Sequence, residues 1–110
     1  MKLGIILVKS PLGSRKVETV LQTASLALKK GNSVDLFLIS DGVWLSKIQD
    51  KEIKALLREI RNGGNIYVCG ASAQARGITE ETLEGFVLSE DSYGDLVDLV
   101  MEKWDKVVVC

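Results

Sequence analysis

Short apolar runs alternate along the chain with longer stretches of helical period. Leu3 to Val8, Val34 to Ile39 and Val107 to Val109 are too short for helices and rich in β-branched residues. Ile66 to Cys69 is a further run of this kind, and Phe86 to Leu88 a shorter one. Near-continuous rather than alternating hydrophobicity predicts strands buried on both faces, as in a parallel sheet. Between the runs, Val17, Val20, Leu21, Ala24 and Leu28 form one apolar stripe at i, i+3, i+4, i+7 and i+11. Ser14 is the expected N-cap of that helix, and Gly31 with Asn32 its end. Ile53, Leu56, Leu57 and Ile60 form a second stripe, closed by Asn62-Gly63-Gly64. Tyr93, Leu96, Val97, Val100, Met101 and Trp104 form a third, opened by Ser92 with Asp95 three residues on, a variant of the capping box.

The alternation reads β-α-β-α-β-α-β-α-β over residues 1–110, a single domain without repeat, low-complexity segment or linker. Right-handed crossovers then place helices on both sides of an open sheet. The fold class expected is α/β, a three-layer α/β/α sandwich around a mostly parallel sheet of about five strands, flavodoxin-like in architecture. A length of 110 residues suits one domain and one core, without disulfide or metal staples.

Composition narrows the chemistry. The chain has no histidine, so it cannot by itself build a Ser-His-Asp triad, a Cys-His dyad or a histidine metal site. Fourteen Lys+Arg against fifteen Asp+Glu give a net charge of −1, with no basic stripe of the kind nucleic-acid binding requires. The longest apolar runs, Ile5 to Val8 and Val107 to Cys110, are far too short to span a bilayer. The first residues lack the long apolar stretch and small-residue cleavage site of a signal peptide. Two cysteines, Cys69 and Cys110, do not make a secreted disulfide framework. A cytoplasmic protein is expected, with no cofactor, metal, nucleic acid or membrane among its partners.

In open α/β sheets, ligands bind beyond the carboxyl ends of the strands. The loop Lys9 to Ser14 carries hydroxyls and a glycine ahead of a helix, so its amides could cradle an anion. It matches neither the P-loop nor the dinucleotide fingerprint, and it reads first as a turn that caps a helix. Trp44 and Leu45, just after Asp41-Gly42, read as core or subunit contact, and Asp41 has no second carboxylate near it in sequence. Cys69 ends a buried strand, and Gly70 permits a sharp turn into a short helix, about Ala71 to Ala75, stopped by Gly77. A thiol there lies among backbone N–H groups at the positive end of a helix dipole, which favours thiolate without a histidine. The same residue reads structurally as a small buried hydrophobe at a strand end. Arg76 lies roughly 10 Å along the helix axis from Cys69, placed to steer an anionic donor or to cap the last carbonyls.

The segment from Asn65 to Ile78, NIYVCGASAQARGI, followed by TEETLEG to Gly85, resembles the DsrE/TusD-like (DsrE/DsrF) sulfur-relay family. The run GDLVDLV at 94–100 before a final strand is similar to that family's carboxyl end, and the opening strand, Pro/Gly/Ser loop and helix at Val17 match as well. The resemblance covers nearly the whole chain. It implies that Cys69 accepts sulfane sulfur as a persulfide and passes it on, between donor and acceptor proteins. It also implies a homotrimer or homohexamer, or a hetero-oligomer with paralogues, with the cysteines near subunit contacts.

Some relatives carry a second cysteine three positions after the first, where this chain has Ser72, so the local dithiol is absent. With strand order 2-1-3-4-5, Cys69 and Cys110 would end strands two places apart, roughly 9–10 Å. That exceeds the ~7 Å Cα limit for a disulfide without backbone movement. Cys110 therefore reads as a frayed terminal residue rather than a resolving thiol. The expected function is a small sulfur carrier with sulfurtransferase-like chemistry. Cys69 is the nucleophile, and Gly70, Ala71 and Ser72 stabilise its thiolate through their amides, Ser72 also through its hydroxyl. The alternatives are a flavodoxin-like module binding a small ligand or nucleotide at the Ser10 to Ser14 loop, and an oligomeric scaffold with a structural cysteine.

Overall fold

A computed structural model describes residues 1–12, 15–79 and 83–110. In chain order the elements are β1 (Lys2–Leu7), α1 (Lys16–Lys29), β2 (Ser33–Leu38), a 3₁₀ segment (Ser40–Lys47), α2 (Lys51–Gly63), β3 (Ile66–Cys69), α3 (Gly70–Ala75), β4 (Val87–Ser89), α4 (Ser92–Asp98) with a π-type last turn (Leu99–Lys103), and β5 (Lys106–Val109). Each strand lies within a residue or so of its apolar run. The Ser14 cap falls outside the described residues. No helix is long and apolar enough to cross a membrane among the described residues.

The five strands form one sheet in which every pairing is parallel, in the order β4-β3-β2-β1-β5. This corrects the 2-1-3-4-5 order expected of a flavodoxin-like sheet. Three successive connections step the same way from β1 to β4, and only the last returns past β1. Apolar runs of equal character do not encode which neighbour a strand takes, so the order lies beyond their reach. The last strand also differs from its reading: all four β5 residues are exposed, as suits an edge strand rather than one buried on both faces.

Register sorts the side chains into two faces. Ile5, Leu36 and Ile66 form one row, and Leu7, Leu38, Val68 and Leu88 the next. These rows carry most of the core, and right-handed crossovers put α1, α2 and α3 on their side. The opposite face presents Gly4 beside Asp35, then Ile6, Phe37, Tyr67 and Val87, then Cys69 beside Ser89. Phe37 and Tyr67 stack there with ring centroids 5.9 Å apart.

That second face is covered by α4 and its extension, in a phase the apolar pattern anticipated only in part. Of the expected stripe, Tyr93, Val97, Val100 and Met101 point to solvent. Trp104, a member of that stripe, is buried as expected and Leu96 packs partly against the core, while Leu99, outside the stripe, is buried as well. The helix closes in a π-type turn, in which Trp104 N donates to Leu99 O at 2.8 Å. One extra residue in the turn rotates everything after it. Trp104 swings onto Gly4, where a Cβ would fall 1.9 Å from its Cδ2, so only glycine admits the ring.

Candidate functional site

The chain leaves β3 into α3 on one face of the sheet and leaves β4 into α4 on the other. A crevice therefore opens between the carboxyl ends of β3 and β4, the place where such sheets bind ligands. Cys69 and Ser89 are register partners at its floor. Gly70 lets the two ends close up, since a Cβ there would sit 3.0 Å from Ser89 O.

Cys69 keeps extended backbone angles, φ −65° and ψ 115°, and caps α3 with its own side chain. Its Sγ accepts from Ser72 N at 3.4 Å. Burial, with the residue only 4% exposed, works against the thiolate and pushes the thiol's pKa up. Hydrogen bonds from the Ser72 and Ser92 hydroxyls and the Ser72 and Ala71 amides outweigh it, and the net result lies below the ordinary thiol value. The sulfur adjoins a cavity of about 260 Å³, bounded by Ile39, Ser40, Ala71 and Ser72 on one side and by Glu90 to Tyr93 on the other.

Gly70, Ala71 and Ser72, named from the sequence, are thus gathered at the thiol. Arg76 is tied elsewhere. Its Nε and Nη2 both donate to Asp41 Oδ1, at 3.1 and 3.0 Å, and its Nη1 donates to Ser72 O at 3.0 Å. Asp41 belongs to the 3₁₀ segment, which replaces the open loop expected there. That segment buries Val43 and Leu45 and leaves Trp44 half-buried. In the first loop, Ser10 Oγ accepts from Leu12 N at 3.1 Å, while Gly13 and Ser14 lie outside the described residues.

Ser40, Asp41 and Ser92 are site residues the sequence did not disclose. Ser92 was expected to cap α4, but Asp91 takes that place and accepts from Gly94 N. Asp95, the expected partner of the cap, accepts instead from Ser89 Oγ at 2.5 Å. Two adjacent residues that both cap well, Asp91 and Ser92, were the one local sign that either could be released for another contact.

Cys110 stands apart. Its strand β5 is separated from β3 by β1 and β2, which puts the two strand ends roughly 14 Å apart. No disulfide spans that distance. Cys110 is fastened by its backbone, with N donating to Ile6 O at 2.8 Å and O accepting from Val8 N at 2.7 Å.

Comparison with known proteins accounts for the whole chain. Residues 1–109 match the model of the DsrE/DsrF-like family. An uncharacterized protein of Methanocaldococcus jannaschii is 34% identical over 115 residues, covering 98% of each chain. An uncharacterized protein of Methanopyrus kandleri is 33% identical, covering 94% of this chain and 89% of its own. Among solved structures, the ychN protein from E. coli superposes with a TM-score of 0.84 at 22% identity, over 100% of this chain and 99% of that one. A protein of unknown function from Methanobacterium thermoautotrophicum gives 0.78 at 18% identity, over 100% of both chains. At these identities the solved structures establish the fold.

Proposed function

The chain belongs to the DsrE/DsrF-like family, and on that premise we propose that it is a small sulfur carrier with sulfurtransferase-like chemistry, loaded as a persulfide on Cys69. The observation that carries this reading is the sulfur itself. It ends a strand at the sheet's crevice, accepts a hydrogen bond from Ser72 N, and adjoins a cavity that Ser92 also lines. The Cys69 thiolate attacks the outer sulfur of a donor R–S–SH. A new S–S bond forms to Cys69, the donor's own S–S bond breaks, and the donor departs as R–S⁻. The transferred sulfur keeps its proton, so the product is Cys69–S–SH. No oxidant, metal or general base is needed, only a thiolate and a good leaving group, which a chain without histidine can supply. The Gly70, Ala71 and Ser72 backbone and the Ser72 hydroxyl stabilise the attacking charge.

Donor and acceptor are other proteins of the cytoplasm, and the carrier works as a homotrimer or homohexamer, or beside paralogous subunits. Two features support assembly. Tyr93, Val97 and Met101 form an exposed apolar stripe along α4 and its extension, and β5 is an exposed edge strand of valines. Apolar surface arranged this way marks contacts with other chains. Tyr93 also lines the cavity beside Cys69, so a subunit docked on α4 would stand next to the thiol. The test is incubation with a persulfide donor followed by intact and peptide mass analysis. Gain of one sulfur atom on the peptide bearing Cys69, absent from Cys69→Ser, is expected. No gain from any donor, with Cys69 inert to thiol reagents in the native protein, would leave the cysteine a structural one.

A further inference from the structure

We propose that the first turn of the 3₁₀ segment governs the reactive cysteine from the neighbouring end of β2, with Ser40 and Asp41 as positioning residues that act on Cys69 through Ser72. The proposal rests on Cys69 being the reactive thiol, but not on what cargo it carries.

A serine hydroxyl can face a cysteine either way round, donating to the sulfur or accepting from the S–H. Here the choice is made by a third group. Ser40 N donates to Ser72 Oγ at 2.9 Å. With its oxygen engaged by an amide that can only donate, the Ser72 hydroxyl keeps its own proton to give toward the thiol, whose pKa it lowers, while the Ser72 amide donates to Cys69 Sγ at 3.4 Å. Ser40 holds this amide in place with φ at +53°, the one non-glycine residue with positive φ among those described. Such a sparsely populated conformation persists only where the surroundings enforce it. The enforcement lies in the next residue. Asp41 binds Arg76 through two nitrogens, and Arg76 returns to the carbonyl of Ser72. Ser72 is thereby gripped at both its hydroxyl and its carbonyl by one closed ring, Ser40–Ser72–Arg76–Asp41.

The charges around the thiol explain why the direction of a hydroxyl should matter. Glu90 and Asp91 line the cavity, and both carboxylates oppose a thiolate. Arg76 is matched by Asp41, and Asp95 is engaged by Ser89. Among the described residues no unmatched cation borders the cavity, so ionisation depends on oriented neutral dipoles.

This arrangement and simple electrostatics predict opposite signs. Replacing Asp41 by Asn removes a negative charge and frees Arg76, which by charge alone would lower the pH midpoint of thiolate formation. If Asp41 acts as a positioning residue, the midpoint rises. The measurement is the rate of iodoacetamide alkylation against pH in a Cys110→Ser background, which leaves Cys69 as the only thiol. Ser72→Ala is expected to raise the midpoint by about one unit, roughly a tenfold loss of rate below it. Asp41→Asn is expected to raise it by about half a unit, roughly threefold. The double variant should match Ser72→Ala alone, because the second residue acts through the first. Should Asp41→Asn fail to fold, Ser40→Gly loosens the same turn and is expected to shift the midpoint the same way. An unchanged or lowered midpoint, or shifts that simply add, would overturn the proposal. Alkylation needs no sulfur donor. Shifted midpoints with no persulfide loading would sink the carrier reading and leave the positioning intact, and loading with unshifted midpoints would do the reverse.

Discussion

Two polar clusters lie on the same face of the same sheet, one toward its amino end and one at its carboxyl end, with the Phe37–Tyr67 stack between them. At the amino end Asp35 is fully buried. Its Oδ1 accepts from Asn65 N at 2.8 Å, its Oδ2 accepts from Trp104 Nε1 at 2.9 Å, and Lys2 Nζ lies 3.5 Å from Oδ2. Both oxygens are answered by protein, and the partners come from the starts of β1 and β3 and the entry to β5. At the carboxyl end Cys69 is nearly as buried and its sulfur also accepts a hydrogen bond, yet a cavity adjoins it. Burial and hydrogen bonding therefore do not separate a structural polar group from a chemical one. On the proposed reading of Cys69, room for a reacting atom does.

The sharpest way to break this contrast is to remove each anchor and read both stability and thiol chemistry. Cys69→Ser should abolish persulfide loading, a loss of more than about a hundredfold, because the nucleophile itself is gone. Cys110→Ser should stay within about twofold, because its sulfur lies three strands away. Mass analysis after donor incubation reads both. Next in size, Asp35→Ala should destabilise the fold by about 3 kcal/mol, since Trp104 Nε1 and Lys2 lose a buried partner. Trp104→Phe should lose about 1.5–3 kcal/mol, the worth of a hydrogen bond to a charged group. Urea titration measures both, and alkylation of Cys69 in each folded variant should match wild type. A slowed thiol there would show that the two ends are coupled through the stacked rings.

The smallest effect is on stability and reads the thiol from the other side. The pKa of Cys69 is lower folded than its ordinary value of 9.0, so above the folded pKa the unfolded chain binds the extra proton. The stabilisation this adds is complete above the unfolded value and is lost as pH falls through the folded one. Wild type should therefore gain on Cys69→Ala as pH rises from neutrality toward 10, in denaturation curves taken at a series of pH values. A flat difference would place the folded and unfolded thiols at the same pKa.

Local features were legible wherever the physics is local. The strand ending on Cys69, the turn at Gly70 and the stop at Gly77, whose φ is +71°, follow from a β-branched run and two glycines. α2 closed as read, with Asp50 supplying its cap. The phase of α4 was legible only in part: Leu96 and Trp104 face inward as read, but the π-type turn that carries Trp104 onto Gly4 leaves no mark in the composition of the stripe. The strand order was out of reach for a related reason, since each strand's hydrophobicity fits several neighbours equally well.

The sequence by itself determined the strands and the main helices, the parallel α/β class, the family resemblance and the candidate residue, Cys69. It also restricted the chemistry to what a chain without histidine can do. The tertiary structure decided what surrounds that residue. Ser40 and Asp41 reach Ser72 and Arg76 across 32 and 35 positions of chain, and Ser92 arrives from the far side of the crevice. Periodicity and capping are read within a turn or two of helix or strand. A thiol's ionisation depends on whatever dipoles the folded chain brings within a few ångströms, and sequence distance carries no record of that.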